Sequence, residues 1–405
     1  MKILVLNCGS SSLKFRLFEM DDEKLLAKGI VEEIGHTNGR FKCDILGRHK
    51  IDKNSSIANH KDAIELVQRS LCDKVTGCIK EVDEIDAIGH RVVHGGEAFT
   101  SSVFINEAVM KKLHECVRFA PLHNPSNIEG IKASLWQFPF ARQAAVFDTA
   151  FHQTMEQEAF IYALPYSWYK EKGIRKYGFH GTSHRYVAEE AARILGKPFN
   201  KLKIITCHLG SGASMAAVKN GKSIDTSMGF TPLEGMIMGT RCGDIDPAIP
   251  LYVMEADGLS ASQMDTILNK KSGVFGLTEG VSDMRIVEDY MLEGKERYVL
   301  VIKMVARRVK KYIGAYAAVM GGVDALVFTA GVGEHSPIIR QLACEGLEFL
   351  GISLDNTLND RNEVVISSGK TAVMVIPTNE ELAIARETKA LLTMESNTGD
   401  KNKNE

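Results

Sequence analysis

The chain has 405 residues, 44% of them hydrophobic, and 49 Lys plus Arg against 51 Asp plus Glu give a formal net charge of -2. This length and apolar content suffice for about two or three domains with buried cores, which excludes intrinsic disorder, collagen-like repeats and a coiled coil. The balanced charge provides no basic patch for nucleic acid. Basic clusters such as residues 307–311 lie within a helical pattern and are expected on a solvated helix face.

The cysteines and the apolar segments indicate a cytoplasmic protein that does not span a membrane. Eight scattered cysteines show no C-x-x-C pair and no paired Cys/His spacing, which is typical of reduced thiols. The N-terminal apolar run, residues 3–6, is too short for the core of a signal peptide. The longest weakly charged stretch, residues 312–333, contains Asp324 and a Gly-Gly pair, so we predict a helix, a turn and a strand there.

The beginning of the chain resembles its middle. Residues 4–12 (LVLNCGSSS) align with residues 205–213 (ITCHLGSGA), and a second strand-like run follows each, at 13–18 and 215–219. Each unit reads as strand, Gly/Ser turn and strand, so we predict two related halves offset by about 200 residues. Chance similarity between two such units is the alternative.

The remaining elements alternate between strands and helices in chain order. Strand-like runs occupy residues 87–93, 144–147, 325–328 and 372–376, and apolar residues recur at spacings of three and four over 299–320. This alternation predicts an α/β fold. The tail at 396–405 has no apolar residue and is expected to be disordered.

Three familiar motifs fail on inspection. Residues 221–223 (GKS) and 369–371 (GKT) imitate the end of a Walker A loop, but Ala216 and Val364 stand where its first glycine is required, and residues 369–371 precede an apolar run instead of following one. The Rossmann glycine pattern is also incomplete. His90 and His94, in the segment HRVVH, have the spacing of zinc-protease histidines, but the residues between them include no glutamate that could act as a base.

Gly-rich turns after apolar strands provide the strongest chemical signal. They lie at residues 7–12, 208–212 and 331–335. Small residues there let backbone N–H groups approach an anion such as a phosphate. Each alone is compatible with a plain turn, whereas the three together favour a nucleotide cleft between two duplicated domains.

Charged residues in apolar or glycine-rich settings accompany these turns. Arg91 lies within a strand-like run, Asp148 ends another, and Arg241 lies in a glycine-rich segment. Phosphoryl transfer needs such cations, because the charge of the transferred group must be balanced in the transition state. A buried structural ion pair is the alternative for Arg91 and Asp148.

Six ordered motifs then resemble the acetate kinases, the acetokinase family, from residue 1 to about residue 390. They are residues 7–15 (NCGSSSLKF), 90–96 (HRVVHGG), 120–125 (APLHNP), 147–152 (FDTAFH), 177–184 (YGFHGTSH) and 225–235 (DTSMGFTPLEG).

The resemblance implies the superfamily of acetate and sugar kinases, Hsp70 and actin. Its fold comprises two duplicated ribonuclease-H-like domains with a nucleotide cleft between them, expected here at 1–149, completed by a helix at about 385–395, and at 150–384. The implied activity is reversible transfer of a phosphoryl group from ATP to acetate, giving ADP and acetyl phosphate, with Mg²⁺ as the metal and Mn²⁺ as the alternative. A cytoplasmic homodimer is also implied, with chain crossings near Thr149 and Glu380.

Site residues follow from the same resemblance, position by position. The implied catalytic residues are Arg91, Asp148, His180 and Arg241. The implied pocket for the methyl group comprises Val93, Leu122, Phe179 and Pro232. The implied ATP-binding residues are Lys14, His208, Leu209, Gly210, Ser211, Gly212, Asp283, Met284, Arg285, Gly331, Val332, Gly333, Glu334 and His335. The implied metal-side residues are Asn7 and Glu380.

Several alternatives stay open at this stage. Asn379 has the pattern of an N-cap, so Glu380 is also expected to complement a helix dipole, and Glu381 is the alternative metal ligand. Ser211 and His335 stand where the family commonly has asparagine. Propionate or butyrate is the alternative acceptor, although Val93 favours the shorter acid, and an actin-like or Hsp70-like ATPase without kinase activity is the alternative from another class.

Overall fold

The computed structural model of the chain describes residues 1–401. These residues form two compact units, Met1–Phe151 together with the chain from Asn379 onward, and His152–Thr378. The second change of unit falls before Glu380 rather than after residue 384, because the final helix packs on strands of the first unit.

Thirteen strands and fifteen helices make up the described chain. The strands are β1 (Lys2–Cys8), β2 (Ser12–Glu19), β3 (Lys24–Glu32), β4 (Arg40–Ile45), β5 (His49–Asn54), β6 (Ala87–Val92), β7 (Val103–Phe104), β8 (Arg142–Phe147), β9 (Lys203–Leu209), β10 (Ala213–Lys219), β11 (Lys222–Thr226), β12 (Ala325–Thr329) and β13 (Ala372–Val375). The helices are α1 (His60–Leu71), α2 (Glu107–Glu115), α3 (Asn124–Gln137), α4 (Gln157–Phe160), α5 (Tyr166–Lys172), α6 (Gly181–Leu195), α7 (Ala248–Asp257), α8 (Ala261–Lys270), α9 (Gly273–Thr278), α10 (Met284–Leu292), α11 (Glu296–Met320), α12 (Ala330–His335), α13 (Pro337–Cys344), α14 (Asn356–Asp360) and α15 (Glu380–Lys401). Short 3-10 turns lie at Val82–Glu84, Cys116–Phe119, Ala150–Thr154, Phe199–Lys201 and Glu348–Leu350.

The two units share one sheet topology, which confirms the predicted duplication. The first sheet has the order β5-β4-β3-β2-β1-β6-β8-β7 and the second β11-β10-β9-β12-β13. The five strands β3-β2-β1-β6-β8 match the second sheet in order and direction, with two antiparallel pairs followed by two parallel pairs. The two aligned Gly/Ser segments are equivalent hairpin turns, because each joins the first strand of its unit to the second. The chance-similarity alternative is therefore wrong.

The hydrophobic core of the first unit explains why the end of the chain returns to that unit. Strand β1 is buried on both faces, since Ile3, Leu4 and Val5 are all 0% exposed. Helices α1 and α3 cover part of this sheet, and α15 packs against β1 and β6. At Gly89 the approach of α15 is so close that an added Cβ atom would lie 2.6 Å from Ile384 Cγ2. Only glycine leaves room for α15 at this point of β6.

The structure confirms the helix predicted at residues 299–320. The periodic segment 299–320 lies within α11, and Gly321, in the left-handed conformation at φ 72°, ends it before β12. No described helix is long and apolar enough to cross a membrane. The expectation of a disordered tail from residue 396 is wrong as far as Lys401, because the backbone of α15 is helical to that residue. Residues 402–405, the rest of the predicted tail, lie outside the described residues.

Candidate active site

Arg91 and Asp148 meet at the carboxyl ends of two neighbouring parallel strands. Asp148 directly follows β8, and its N–H donates to Val92 O at 3.0 Å, which continues the pairing of β6 with β8. Arg91 Nε donates to Asp148 Oδ1 at 3.0 Å and Arg91 Nη2 to Oδ2 at 2.6 Å, while Nη1 lies 3.4 Å from Asn7 Oδ1. The ends of three adjacent strands, β1, β6 and β8, therefore converge on one guanidinium.

Burial and mutual attraction act in opposite directions on the charges of this pair. Asp148 is 1% exposed, and burial raises the pKa of its carboxyl, an effect that Arg91 opposes. For Arg91, burial acts to lower the pKa, but Asp148 and the nearby Glu380 outweigh it and raise the pKa. A two-pronged arginine–carboxylate contact is geometrically specific and leaves the third guanidinium nitrogen, Nη1, directed to Asn7.

Glu380 and Glu381 begin α15 but lie in different environments. Asn379 Oδ1 accepts from the N–H of Leu382 at 3.2 Å, as the predicted N-cap does. Burial raises the pKa of Glu380, and Arg91 opposes that shift. Glu381 instead pairs with Arg16 Nη2 at 3.5 Å. The first-turn position, the electrostatic coupling to Arg91 and the Asn379 cap therefore coexist at Glu380.

In the second unit, His180 and Arg241 flank the turn between β9 and β10. An added Cβ atom on Gly212 would lie 3.5 Å from Arg241 Nη1 and 3.6 Å from His180 Nε2. His180 has φ 56° and ψ 23°, a left-handed conformation that is strained for a residue with a side chain and that recurs at functional sites. The His180 ring stacks on that of His208 with centroids 4.2 Å apart.

Arg241 has no carboxylate partner among residues 1–395. Its Nη1 contacts only Pro232 O at 3.4 Å and Met238 Sδ at 3.7 Å, and burial lowers its pKa. A half-buried guanidinium that is not paired with an acid favours a bound anion as its partner, because burying an uncompensated charge is costly.

Gly-rich turns of the second unit border a cavity of about 460 Å³, a size that suits a nucleotide-sized ligand. Predicted ATP-binding residues that line it are Gly210, Ser211, Asp283, Met284, Arg285, Gly331, Val332 and His335. Residues that the sequence analysis missed complete the lining, namely Gly239, Ser282, Glu288 and Ser336. Helix α12 starts at the end of β12 and brings Gly331, Val332 and His335 into this lining.

Comparison with known proteins gives a consistent result. The model of the acetokinase family matches residues 2–386. The acetate kinase of Carboxydothermus hydrogenoformans is 57% identical over 396 residues, or 97% of this chain and 99% of that protein. The chain belongs to the acetokinase family. Acetokinases are phosphotransferases whose acceptor is a carboxyl group, so the fold and the enzyme class that the motifs implied are confirmed.

Solved acetokinase structures share the fold closely. Porphyromonas gingivalis acetate kinase superposes with a TM-score of 0.93 at 48% identity, covering 96% of this chain and 99% of that chain. A propionate kinase from Francisella tularensis superposes with a TM-score of 0.90 at 44% identity over the same shares. One relative described as an acetate kinase and one described as a propionate kinase therefore share this fold.

The remaining acetokinase positions are divided between the units. Val93, 7% exposed, and Leu122, 72% exposed, belong to the first unit, whereas Phe179 and Pro232 belong to the second. Lys14 also lies in the first unit, on β2, where it lines a separate cavity of about 390 Å³. The methyl-pocket assignment stays a prediction.

Some predicted ATP-binding residues serve the loop itself and do not line the 460 Å³ cavity. Glu334 Oε1 accepts from the N–H groups of Ala330 at 2.8 Å and Thr378 at 3.3 Å. Gly333 is buried against Cys207 O, and His208 Nδ1 is 2.8 Å from Ser183 Oγ. Leu209 and Gly212 also lie outside that lining. Alignment with a motif identifies a loop but does not say which of its side chains face a ligand.

Two asparagines that the sequence analysis passed over hold the loop after β6. Asn127 Oδ1 accepts from the N–H of Val93 at 3.1 Å, and Asn127 Nδ2 donates to Cys8 O at 2.7 Å. Asn124 Oδ1 accepts from the N–H of His94 at 3.2 Å. Both are buried on α3 three residues apart, a spacing that places them on one helix face and that was visible in the sequence.

The residues near Arg91 fit an Mg²⁺ ion. Residues 1–395 contain no group of three His, Cys, Asp or Glu suited to a metal, so a site built wholly from such ligands is absent there. Mg²⁺ needs only one or two carboxylates and keeps several waters. Glu380, whose ionised form burial disfavours, would be stabilised by a cation, and the long Asn7 contact to Arg91 leaves the amide oxygen able to accept further contacts.

Proposed function

We propose that this acetokinase transfers the γ-phosphoryl group of ATP to acetate, reversibly and by direct in-line displacement. An acetate oxygen forms a bond to the γ-phosphorus while the bond from that phosphorus to the β,γ-bridging oxygen breaks, so that ADP leaves and acetyl phosphate forms. The observation that carries this proposal is Arg241, half-buried beside His180 without a carboxylate partner among residues 1–395.

The proposed roles follow from the charges. Acetate is already ionised at pH 7, so the acceptor needs positioning and charge neutralisation rather than a strong base. Both oxygens of Asp148 accept from Arg91, which supports a role in orienting that guanidinium toward the acetate. We assign Arg241 and His180 to the oxygens of the transferred group, where charge develops in the transition state.

We further propose that the 460 Å³ cavity holds the nucleotide and that Asn7 and Glu380 hold the metal. Bound Mg²⁺ would neutralise charge on the phosphate oxygens. Ser211 lines the cavity in place of the family's usual asparagine, and its hydroxyl still supplies one donor and acceptor. His335 also lines the cavity, so we expect altered nucleotide affinity or purine preference rather than loss of binding.

A cytoplasmic homodimer is part of the proposal. Helix α7 contains no buried residue, and Leu251 and Tyr252 are 69% and 73% exposed. An exposed apolar surface of this kind is typical of an interaction site. The eight free thiols support a reducing compartment. Light scattering of the purified chain measures the dimer directly, and a monomer at micromolar concentration would contradict that part.

Trapping of the acyl phosphate with hydroxylamine tests the central reaction. Acetate, propionate and butyrate are compared as acceptors, since the Francisella tularensis relative is a propionate kinase. We expect acetate to give the highest kcat/KM. ATP hydrolysis without a hydroxamate product would instead indicate an actin-like or Hsp70-like ATPase.

Two arginine-to-alanine variants, one at the site and one on an exposed helix face, test the role of Arg241. Arg241→Ala is expected to lower kcat about 10² to 10³-fold, the usual effect of removing one transition-state donor. Arg307→Ala, at an exposed arginine on α11, is expected to retain wild-type turnover. Equal turnover of the two variants would remove Arg241 from the site.

A further inference from the structure

A chain of buried polar side chains stands behind the His180 ring. Ser214 Oγ lies 2.8 Å from His180 Nδ1 and 2.7 Å from His184 Nε2, so one hydroxyl bridges two imidazoles. His184 Nδ1 lies in turn 2.7 Å from Thr206 Oγ1. Ser214, His184 and Thr206 are all 0% exposed. These three residues and His180 form a continuous hydrogen-bonded relay that spans β9, β10 and the start of α6.

The number of protons in the relay limits the directions in which its hydrogen bonds can run from donor to acceptor. Burial, assisted by His152 and His208, lowers the pKa of His184 well below its ordinary value, so His184 is neutral at pH 7 and carries one N–H. The hydroxyls of Ser214 and Thr206 contribute one proton each. Because each hydroxyl and the His184 ring donate once, every donor in the relay points the same way.

Only one of the two directions satisfies all donors. If His180 donated from Nδ1 to Ser214, then Ser214 would donate to His184 Nε2 and His184 would donate to Thr206. The Thr206 hydroxyl, which is fully buried and whose one hydrogen-bond partner among residues 1–395 is His184, would then have no acceptor. A buried donor without an acceptor is costly. In the opposite direction Thr206 donates to His184 Nδ1, His184 Nε2 donates to Ser214, and Ser214 donates to His180 Nδ1.

We propose that Thr206, His184 and Ser214 are positioning residues that hold His180 as the neutral tautomer with its hydrogen on Nε2. Nε2 is the ring nitrogen that lies beside Gly212 and Arg241. His180 therefore presents a hydrogen-bond donor next to the Arg241 guanidinium without carrying a second positive charge there. The inference rests on the proposed function, because the value of a fixed donor is its contact with a phosphoryl oxygen in the transition state.

Kinetics of Ser214→Ala test the relay first. Loss of the bridging hydroxyl frees the tautomer of His180, so kcat is expected to fall about 10 to 100-fold, as for loss of a buried hydrogen bond, while KM for acetate and ATP stays within about twofold. Thr206→Val, nearly isosteric at the far end of the relay, is expected to lower kcat by a smaller factor in the same way.

Ser223→Ala is the matched control. Ser223 Oγ lies 2.8 Å from His152 Nδ1, so this variant also removes a 0% exposed serine from a buried histidine of the same unit, but from a histidine outside the relay. Wild-type kcat is expected. A loss equal to that of Ser214→Ala would show that the effect comes from packing and would overturn the inference.

Nitrogen NMR of histidine-labelled enzyme gives a readout that does not depend on turnover. The His180 signals, identified by their absence in His180→Asn, are expected to show a protonated Nε2 and an unprotonated Nδ1 in the wild type, and a mixture in Ser214→Ala. A proton on Nδ1 of the wild-type ring, or a Thr206→Val enzyme with unchanged kcat and an unchanged His180 spectrum, would overturn the relay. Absence of acyl phosphate with the wild-type enzyme would reject the proposed function instead.

Discussion

Replacement of Arg91 by leucine separates the two roles that an arginine–carboxylate pair can have. Arg91→Leu leaves the Asp148 carboxyl, 1% exposed, without its two-pronged partner. The carboxyl is then expected to become protonated, which removes the unpaired charge from the buried site. If it is neutral at pH 7 in the folded variant but has an ordinary pKa near 3.9 when unfolded, the cost is about 4 kcal/mol at about 1.4 kcal/mol per pH unit. Measured losses for broken buried pairs are of the same order, about 3 to 5 kcal/mol.

The sign of the pH dependence follows from the same shift. The folded variant holds the Asp148 proton to higher pH than the unfolded chain does, so its stability is lost as pH rises from about 4 to 7 and recovers as pH falls. Urea unfolding of the wild type and Arg91→Leu at pH 5 and pH 7 measures this directly. The difference between the two proteins should be smaller at pH 5.

A double variant isolates the catalytic part. Arg91→Leu/Asp148→Asn removes both charges, so most of the lost stability should return, whereas acyl phosphate formation should stay about 10² to 10³-fold below the wild type. A stable double variant with near-normal turnover would show that the pair is only structural and would refute the assignment of Arg91 to the site.

Three further predictions concern specificity, metal binding and acid stability. Val93→Ala should raise the ratio of propionate to acetate kcat/KM by about 10 to 200-fold, since removal of its two methyl groups leaves room for the extra methylene of propionate, and an unchanged ratio would contradict the pocket assignment. Glu380→Ala should lower activity in a way that excess Mg²⁺ partly restores, while Glu381→Ala, whose side chain pairs with Arg16, should be milder; the reverse order in a Mg²⁺ titration would reassign the ligand. Burial lowers the pKa of both His90 and His152 to about 4, so the unfolded chain binds protons below pH 6.5 that the folded chain does not bind until about pH 4. The stability from each, up to about 3 kcal/mol, should be present above pH 6.5 and lost as pH falls toward 4, and a flat urea midpoint over that range would argue against it.

Local patterns in the sequence were sufficient for eight of the strands, for helix α11 and for the duplication. Apolar runs bounded by Gly and Ser predict β1, β2, β9 and β10, because strand burial and turn chemistry are properties of a few neighbouring residues. The spacing of apolar residues likewise places residues 299–320 in a helix, and Gly321 ends it. The six family motifs supplied the enzyme class, since they are long and ordered along the whole chain.

Other features depend on residues that are far apart in sequence. The cavity lining combines Gly239, Glu288 and Ser336 with the predicted turns, and no local pattern links them. Glu380 and Glu381 are equivalent candidate ligands in sequence, and only the packing of α15 buries Glu380, which raises the pKa of Arg91 more than Glu381 does, and pairs Glu381 with Arg16.

By itself the sequence determined eight of the strands, the long helix α11 and the Gly-rich turns, because these depend on backbone preferences and on which face of each element is apolar. Only the tertiary structure decided which polar groups become partners. Ser214 has the pattern of an ordinary strand serine, and its place between His180 and His184 exists only once β10 lies against α6. Hydrogen bonds act over about 3 Å, so their partners are set by the packing of elements that the chain brings together from distant positions.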